Sequence, residues 1–237
     1  MKKNLLISVV VFSLMMITAG AAQTETAEGA QTTVSNANET ADTSGAGNVT
    51  VEAGAVSQVD VDQSSLTDKW AGFYGQISAS RVLGSSSGNL YTWTASTLSD
   101  ANVLASPISE PAPASVSQVN DPNTFLDNYF SSNEFSTGVA NASGTFNRTE
   151  SLTILGQSSF STQAVNTYDS SGSSNASFTT YLADNGASGA STDSPVFIAE
   201  GNDDVTGFTG SDLNYQMLVG VGETASEQGY SFYLALP

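Results

Sequence analysis

The chain has 237 residues with no histidine and no cysteine, and its 23 acidic residues face only five lysines and arginines, for a formal net charge of −18 at pH 7. The two absences exclude Ser-His-Asp and Cys-His catalysis, together with zinc, copper and haem sites that rest on imidazole or thiolate. Disulfides are excluded as well, so stability has to come from packing and backbone hydrogen bonds, which a chain of this length can supply.

Beyond Lys2 and Lys3, the only cations are Lys69, Arg81 and Arg148. No phosphate-tracking surface can be assembled from three positive charges, so nucleic acid is not an expected partner. Adsorption to anionic lipid headgroups is disfavoured for the same reason. The acidity itself reads as colloidal stability.

In chain order, Lys2 and Lys3 form a positive n-region, Leu5 to Ile17 an apolar run broken by Ser8 and Ser13, and Ala19-Gly20-Ala21-Ala22 a small-residue cleavage site. This pattern predicts a secretory signal peptide over 1–22, cut after Ala21 or Ala22. The run falls short of the about 20 apolar residues of a membrane span, so no integral insertion is expected after cleavage. Residues 23–47 carry Val34 as their only sizeable apolar side chain and read as a disordered polar spacer.

From residue 48 to 237 the pattern is that of one β-rich domain. Val49, Val51, Ala53, Val59 and Val61 alternate with polar residues at period two. Trp70 to Leu83 continues with β-formers, Gly84 to Asn89 reads as a turn, and Leu90 to Ser96 returns, which predicts a hairpin. A short strand follows at Asn102 to Ala105. The connector 106–120 holds three of the six prolines and marks a possible sub-boundary. Asp121-Pro122 then opens a helix over 121–130, with Asp121 as cap, Pro122 at the first helical position, and Phe125, Leu126, Tyr129 and Phe130 at helical spacing. LTILG (152–156), SFSTQAVNTY (159–168), ASFTTYLAD (176–184), SPVFIAEG (194–201), NYQMLVGVG (214–222) and YSFYLALP (230–237) read as strands separated by Gly, Asn, Asp and Ser clusters. The expected fold is therefore mainly β, an antiparallel β-sandwich or jelly-roll-like domain with one short helix.

Thr67-Asp68-Lys69-Trp70-Ala71-Gly72-Phe73-Tyr74-Gly75, followed by Ile77-Ser78 and Leu90-Tyr91-Thr92-Trp93, resembles the start of a family of uncharacterised secreted proteins found mainly in archaeal genomes. Phe178 to Asp184, Pro195 to Ala199, Asp204 to Gly210, Tyr215 to Val219 and Tyr230 to Leu234 agree with it in order, so the resemblance spans roughly Val49 to Leu236. It implies an envelope-associated or extracellular β protein. It brings no catalytic residues, and where relatives carry cysteines in the middle region this chain has none.

Several constellations carry chemistry. Asn38, Asn48, Asn141, Asn147 and Asn175 begin N-x-Ser/Thr sequons and are glycosylation candidates in an exported chain, although such triplets also arise by chance in a sequence rich in Asn, Ser and Thr. Trp70, Phe73, Tyr74, Tyr91 and Trp93 gather on the expected hairpin. Trp70, Tyr74, Tyr91 and Trp93 are candidate sugar-contact rings, weighed against core packing for at least one set. Asp60 and Asp62 on one strand face, and Asn202, Asp203 and Asp204 with Asp212, offer oxygen ligands for calcium, but neither stretch has an EF-hand pattern and turn chemistry accounts for them equally. No other cofactor is expected. Two acids at glycosidase separation would suffice for hydrolysis, yet among Glu52, Glu110, Glu134, Glu150, Glu200, Glu223 and Glu227 no spacing selects a pair.

The expectation is a secreted or cell-surface, non-enzymatic protein of adhesion, display or extracellular assembly, with self-association, other surface or matrix proteins, or polysaccharide as its partners. A carbohydrate-binding module using the hairpin aromatics is the alternative, and a two-carboxylate glycosidase the distant third.

Overall fold

The computed structural model describes residues 28–29, 67, 69–94, 98–99, 101–108, 116–131, 133–154, 158–185, 194–222 and 228–236. The expected signal peptide, the Val49–Val61 strands, Asp60, Asp62, Asn38 and Asn48 lie outside these residues.

Fourteen strands and two helices occur among the described residues, and all strand pairs are antiparallel. In chain order these are β1 (Glu28–Gly29), β2 (Trp70–Gly75), β3 (Ser80–Ser85), β4 (Gly88–Thr94), β5 (Asn102–Ser106), β6 (Ser117–Gln118), α1 (Pro122–Phe130), α2 (Ala142–Thr145), β7 (Arg148–Leu152), β8 (Phe160–Tyr168), β9 (Ser174–Asp184), β10 (Pro195–Glu200), β11 (Val205–Thr206), β12 (Asp212–Leu213), β13 (Tyr215–Gly220) and β14 (Ser231–Ala235). The fold is mainly β, a sandwich built around an eight-stranded sheet of order β1-β14-β5-β10-β9-β8-β7, with β6 added beside β9.

The middle of this sheet is covered on both faces, and the side chains sort by strand parity. Val103, Ala105, Leu182, Phe197 and Ala199 enter one core cluster, where Trp70, Met217 and Val219 from the β2–β13 pair and Phe125 and Leu126 from α1 cover them. Leu104, Tyr181, Ala183, Val196 and Ile198 point the opposite way, into a second cluster with Val116, Leu152 and Ile154. Double coverage explains why PVFIAE reads as a continuous apolar run rather than an alternating one. β5, which ends where the proline-rich connector begins, and β6, which lies within that connector, belong to the same sheet.

Helix α1 forms where its caps predict. Asp121 has an extended backbone and accepts from the Asn123 and Thr124 amides (3.1 and 3.3 Å), Pro122 follows it, and Ser131 closes the helix in the left-handed region at φ 52°. Such a cap stabilises a helix by about 1 kcal/mol. The Thr124 hydroxyl also donates to Asp121 (2.7 Å), and these bonds hold the Asp121 carboxyl below its ordinary value.

Three expectations need correction, and one strand pairing falls inside the expected spacer. β2 does not pair with the strand that follows it; it pairs with β13, from Tyr215↔Gly75 to Gly220↔Trp70, while β3 and β4 form a separate hairpin. Local β-propensity reports that a strand exists, not which strand it meets. A second helix, the single turn α2, is capped by Asn141, whose side chain accepts from the Gly144 amide (2.6 Å). The strand read at 152–156 is displaced to 148–152, and Thr153 and Ile154 leave the sheet. Within 23–47, Glu28–Gly29 pair with Leu234 and Tyr233 at the outer edge of β14.

Candidate functional site

Among the described residues, two places bring chemistry-bearing side chains together. The first is the β3–β4 hairpin. Arg81 pairs with Trp93 and Leu83 with Tyr91, so Leu83, Tyr91 and Trp93 lie in one row, with Val82 and Leu90 on the other side. All five large apolar side chains are at least half exposed, up to 81 % for Leu90. The Tyr91 and Trp93 rings lie 4.7 Å apart at 58°. A tight turn through Ser86 and Ser87 closes the hairpin, with Gly88 at φ 143°, a backbone conformation that other residues avoid.

The expected sugar-contact set divides here. Trp70 is buried, which corrects its reading as a contact ring: it meets Phe135 edge-on at 5.3 Å and Phe146 at 5.7 Å, and its indole N–H donates to the Ala140 carbonyl (2.8 Å). A buried indole needs such a partner, and this one ties β2 to the loop before α2. Tyr74 is exposed but sits on the β2–β13 pair against Phe208 (4.9 Å), apart from Tyr91 and Trp93.

The second place is the face of the large sheet that carries the second core cluster. From β5 to β7 is four strand steps, about 19 Å in a flat sheet. Yet the Asn102 amide on β5 donates to the carbonyl of Thr153, the residue next after β7, at 3.3 Å. One residue of chain and an asparagine side chain cannot span that gap, so the sheet curls and this face is concave. The apolar side chains Leu104, Val196, Ile198 and Ala183 fill one end. Polar groups gather toward the other. Glu200 continues the parity of Val196 and Ile198, Tyr181 is two strands' width across from Arg148 through Ala164, and the Arg148 guanidinium is paired with Glu150.

The electrostatics follow from this crowding. Glu200 is half-buried, and its carboxyl is pushed above the ordinary glutamate value chiefly by desolvation. The Tyr181 hydroxyl hydrogen-bonds it and opposes that shift, while the Glu150 charge adds to it. Tyr181 is buried, and burial followed by the Glu200 charge drives its phenol well up. For Glu200 the raised folded-state value means that its contribution to stability is complete below pH 4.5 and is lost as pH rises through that raised value. Glu200→Gln, neutral throughout and still able to accept from Tyr181, is therefore expected to gain on the wild type as pH rises from 4 to 7. Urea unfolding of both proteins in chelator reads this directly, and a difference that does not change with pH would contradict the assignment.

The calcium candidates at residues 202–212 are placed as follows. Among the described residues no three acidic side chains gather. Asp203 accepts from the Leu98 amide (2.8 Å), Asp204 from the Asn214 side chain (3.1 Å) and Asp212 from the Thr206 hydroxyl (3.0 Å) across the β11–β12 pair. Asn202 donates to the Ser177 carbonyl, and the Asp204 backbone is left-handed at φ 50°. These oxygens bind the chain's own donors, which is turn chemistry.

Of the described sequons, Asn147 is exposed just before β7. Asn141 is engaged as the α2 cap and through its amide to Gly138 (2.9 Å), and Asn175 accepts from the Ser177 amide (3.0 Å).

The Glu150–Glu200 proximity was not legible as a spacing, because a separation of fifty positions and the curl of the sheet create it. One signal was present: Glu200 ends a buried apolar run at the inward parity. Comparison with protein-family models, curated proteins and solved structures finds no match for this chain. No helix among the described residues is long and apolar enough to cross a membrane.

Proposed function

We propose that this is an exported surface protein of adhesion or extracellular assembly, and that the β3–β4 hairpin is its contact element. The observation that carries this reading is the exposure of Val82, Leu83, Leu90, Tyr91 and Trp93 on a two-stranded sheet that no other described strand extends. Isolated hairpins are marginal in water, and exposed apolar patches mark surfaces that meet partners. Unpaired strand edges add backbone donors and acceptors for a strand of another molecule. The scarcity of cations and the apolar, export-type N-terminus support the location, and the resemblance to secreted β-rich proteins supports the role. Among the described sequons, Asn147 is the best placed to carry a glycan.

Replacing Tyr91 and Trp93 together by Ser is expected to leave the melting temperature within about 2 °C of the wild type, since exposed substitutions cost little. The same double variant is expected to abolish concentration-dependent oligomers in light scattering. A wild type that stays strictly monomeric at high concentration overturns the assembly reading.

A second reading, a carbohydrate-binding face, rests on the exposed Tyr91–Trp93 ring pair. The chain has two tryptophans, and Trp70 is buried, so Trp93 fluorescence isolated in Trp70→Phe reports the hairpin alone. A blue shift on adding polysaccharide favours this reading; an unmoved emission removes it.

A further inference from the structure

On the concave sheet face, Asn102 and Glu200 are cross-strand partners in the β5–β10 pair. The Gly201 amide donates to the Ala101 carbonyl (2.8 Å), which makes residues 101 and 201 a hydrogen-bonded pair. Their neighbours 102 and 200 then form a non-hydrogen-bonded pair, the kind whose Cα atoms approach to about 4.5 Å and whose side chains lie closest. Asn102 is only 4 % exposed, and its amide orientation is fixed because Nδ2 donates to the Thr153 carbonyl. Its Oδ1 is buried without a hydrogen-bond partner.

Such an orphaned acceptor is costly, and one beside a desolvated carboxylate is costlier still. The surroundings offer little relief. Glu200 receives the Tyr181 hydroxyl, but the nearby charge acting on it is another carboxylate, Glu150, whose paired cation is Arg148. The cluster is therefore rich in oxygen acceptors and short of positive charge. Protein groups of this kind, a carboxylate with neutral amide and hydroxyl oxygens, are ligands for hard cations of flexible coordination.

We propose that Glu200 and Asn102 Oδ1, with Glu150 and the Tyr181 oxygen beside them, form a binding site for a calcium-like divalent cation on the concave face. This site is separate from the 202–212 loop, whose carboxylates serve turns, and it does not depend on the role proposed for the hairpin. A cation there satisfies the buried amide oxygen and neutralises the two carboxylates at once. It also clamps β5, β7, β9 and β10, strands distant in sequence.

The test is the melting temperature of the full chain in low salt at pH 7, in chelator and then in 10 mM CaCl2, with MgCl2 and NaCl at matched ionic strength. With the dissociation constants of 10⁻⁴ to 10⁻³ M usual for extracellular calcium modules, 10 mM calcium is expected to raise the transition by roughly 3–10 °C. Glu200→Gln, expected to fold at least as well as the wild type, should lose most of that rise, and Asp203→Asn should keep it. Calcium titration by calorimetry should show the same loss in Glu200→Gln and in Asn102→Ser. No calcium-dependent shift in the wild type overturns the proposal, because a proton on Glu200 then suffices to quiet the cluster. A shift that survives in Glu200→Gln also overturns it, by placing the cation elsewhere.

Discussion

Phe197→Ala is expected to lower the free energy of unfolding by about 3–5 kcal/mol, the upper end of what truncating one core side chain costs. Phe197 has no exposed surface and stands in β10, between Ala105 of β5 and Leu182 of β9. Its ring lies 6.1 Å from both Phe146 and Tyr230, so it links the segment leading into β7 to the C-terminal strand. Removing the ring leaves a cavity whose walls belong to a hydrogen-bonded strand pair on each side, and these cannot collapse to fill it. Urea unfolding should show a lower midpoint at unchanged slope. Phe197→Leu, which keeps most of the volume, should cost about 1–1.5 kcal/mol. A loss below about 1 kcal/mol for the alanine variant would mean that β10 is not sealed on this face.

Gly201→Ala should destabilise by about 2–3 kcal/mol through overpacking. A Cβ at this position runs into the Leu98 backbone carbonyl and sits 3.2 Å from Ile77 Cδ1 and 3.3 Å from the Ala101 carbonyl. The obstacle is backbone, and it is tied down: the Ala101 amide donates to Leu98 (2.9 Å), the Leu98 amide to Asp203 (2.8 Å) and Gly201 itself to Ala101 (2.8 Å). Relief requires breaking at least one of these bonds. A fall of roughly 5–10 °C in the melting temperature is the corresponding reading for a domain of this size. Because residues 101 and 201 flank the Asn102–Glu200 pair, the same variant should weaken any calcium response. An unchanged melting temperature would show that Leu98 and Ala101 yield freely.

The elements that were legible in the chain share one property: their signals are local. The Asp121-Pro122 cap, the phenylalanine and leucine spacing of α1, and the apolar runs of β8, β9, β10, β13 and β14 each reflect interactions within a few residues. So does the hairpin turn at Ser86 and Ser87, although its aromatic content was assigned to one unit with β2. Strand partnership was not legible, since β2 meets β13 about 140 residues later and nothing in WAGFYG names its partner. Burial was legible only in part: Trp70 and Trp93 have the same side chain, yet one lies under Phe135 and Phe146 while the other stands in solvent.

Residue types and their order suffice to establish that the domain is β-rich, that it holds no disulfide, imidazole or thiolate chemistry, and that the longer of the two described helices begins at Pro122. Composition and short-range periodicity suffice for those statements. Which aromatic rings are exposed, that the acids of residues 202–212 accept from the chain's own donors, and that Asn102, Glu150 and Glu200 share a concave face emerge with the three-dimensional packing alone. Those outcomes depend on long-range antiparallel register and on the curl of the sheet, and both are settled by the simultaneous packing of two cores on its opposite sides.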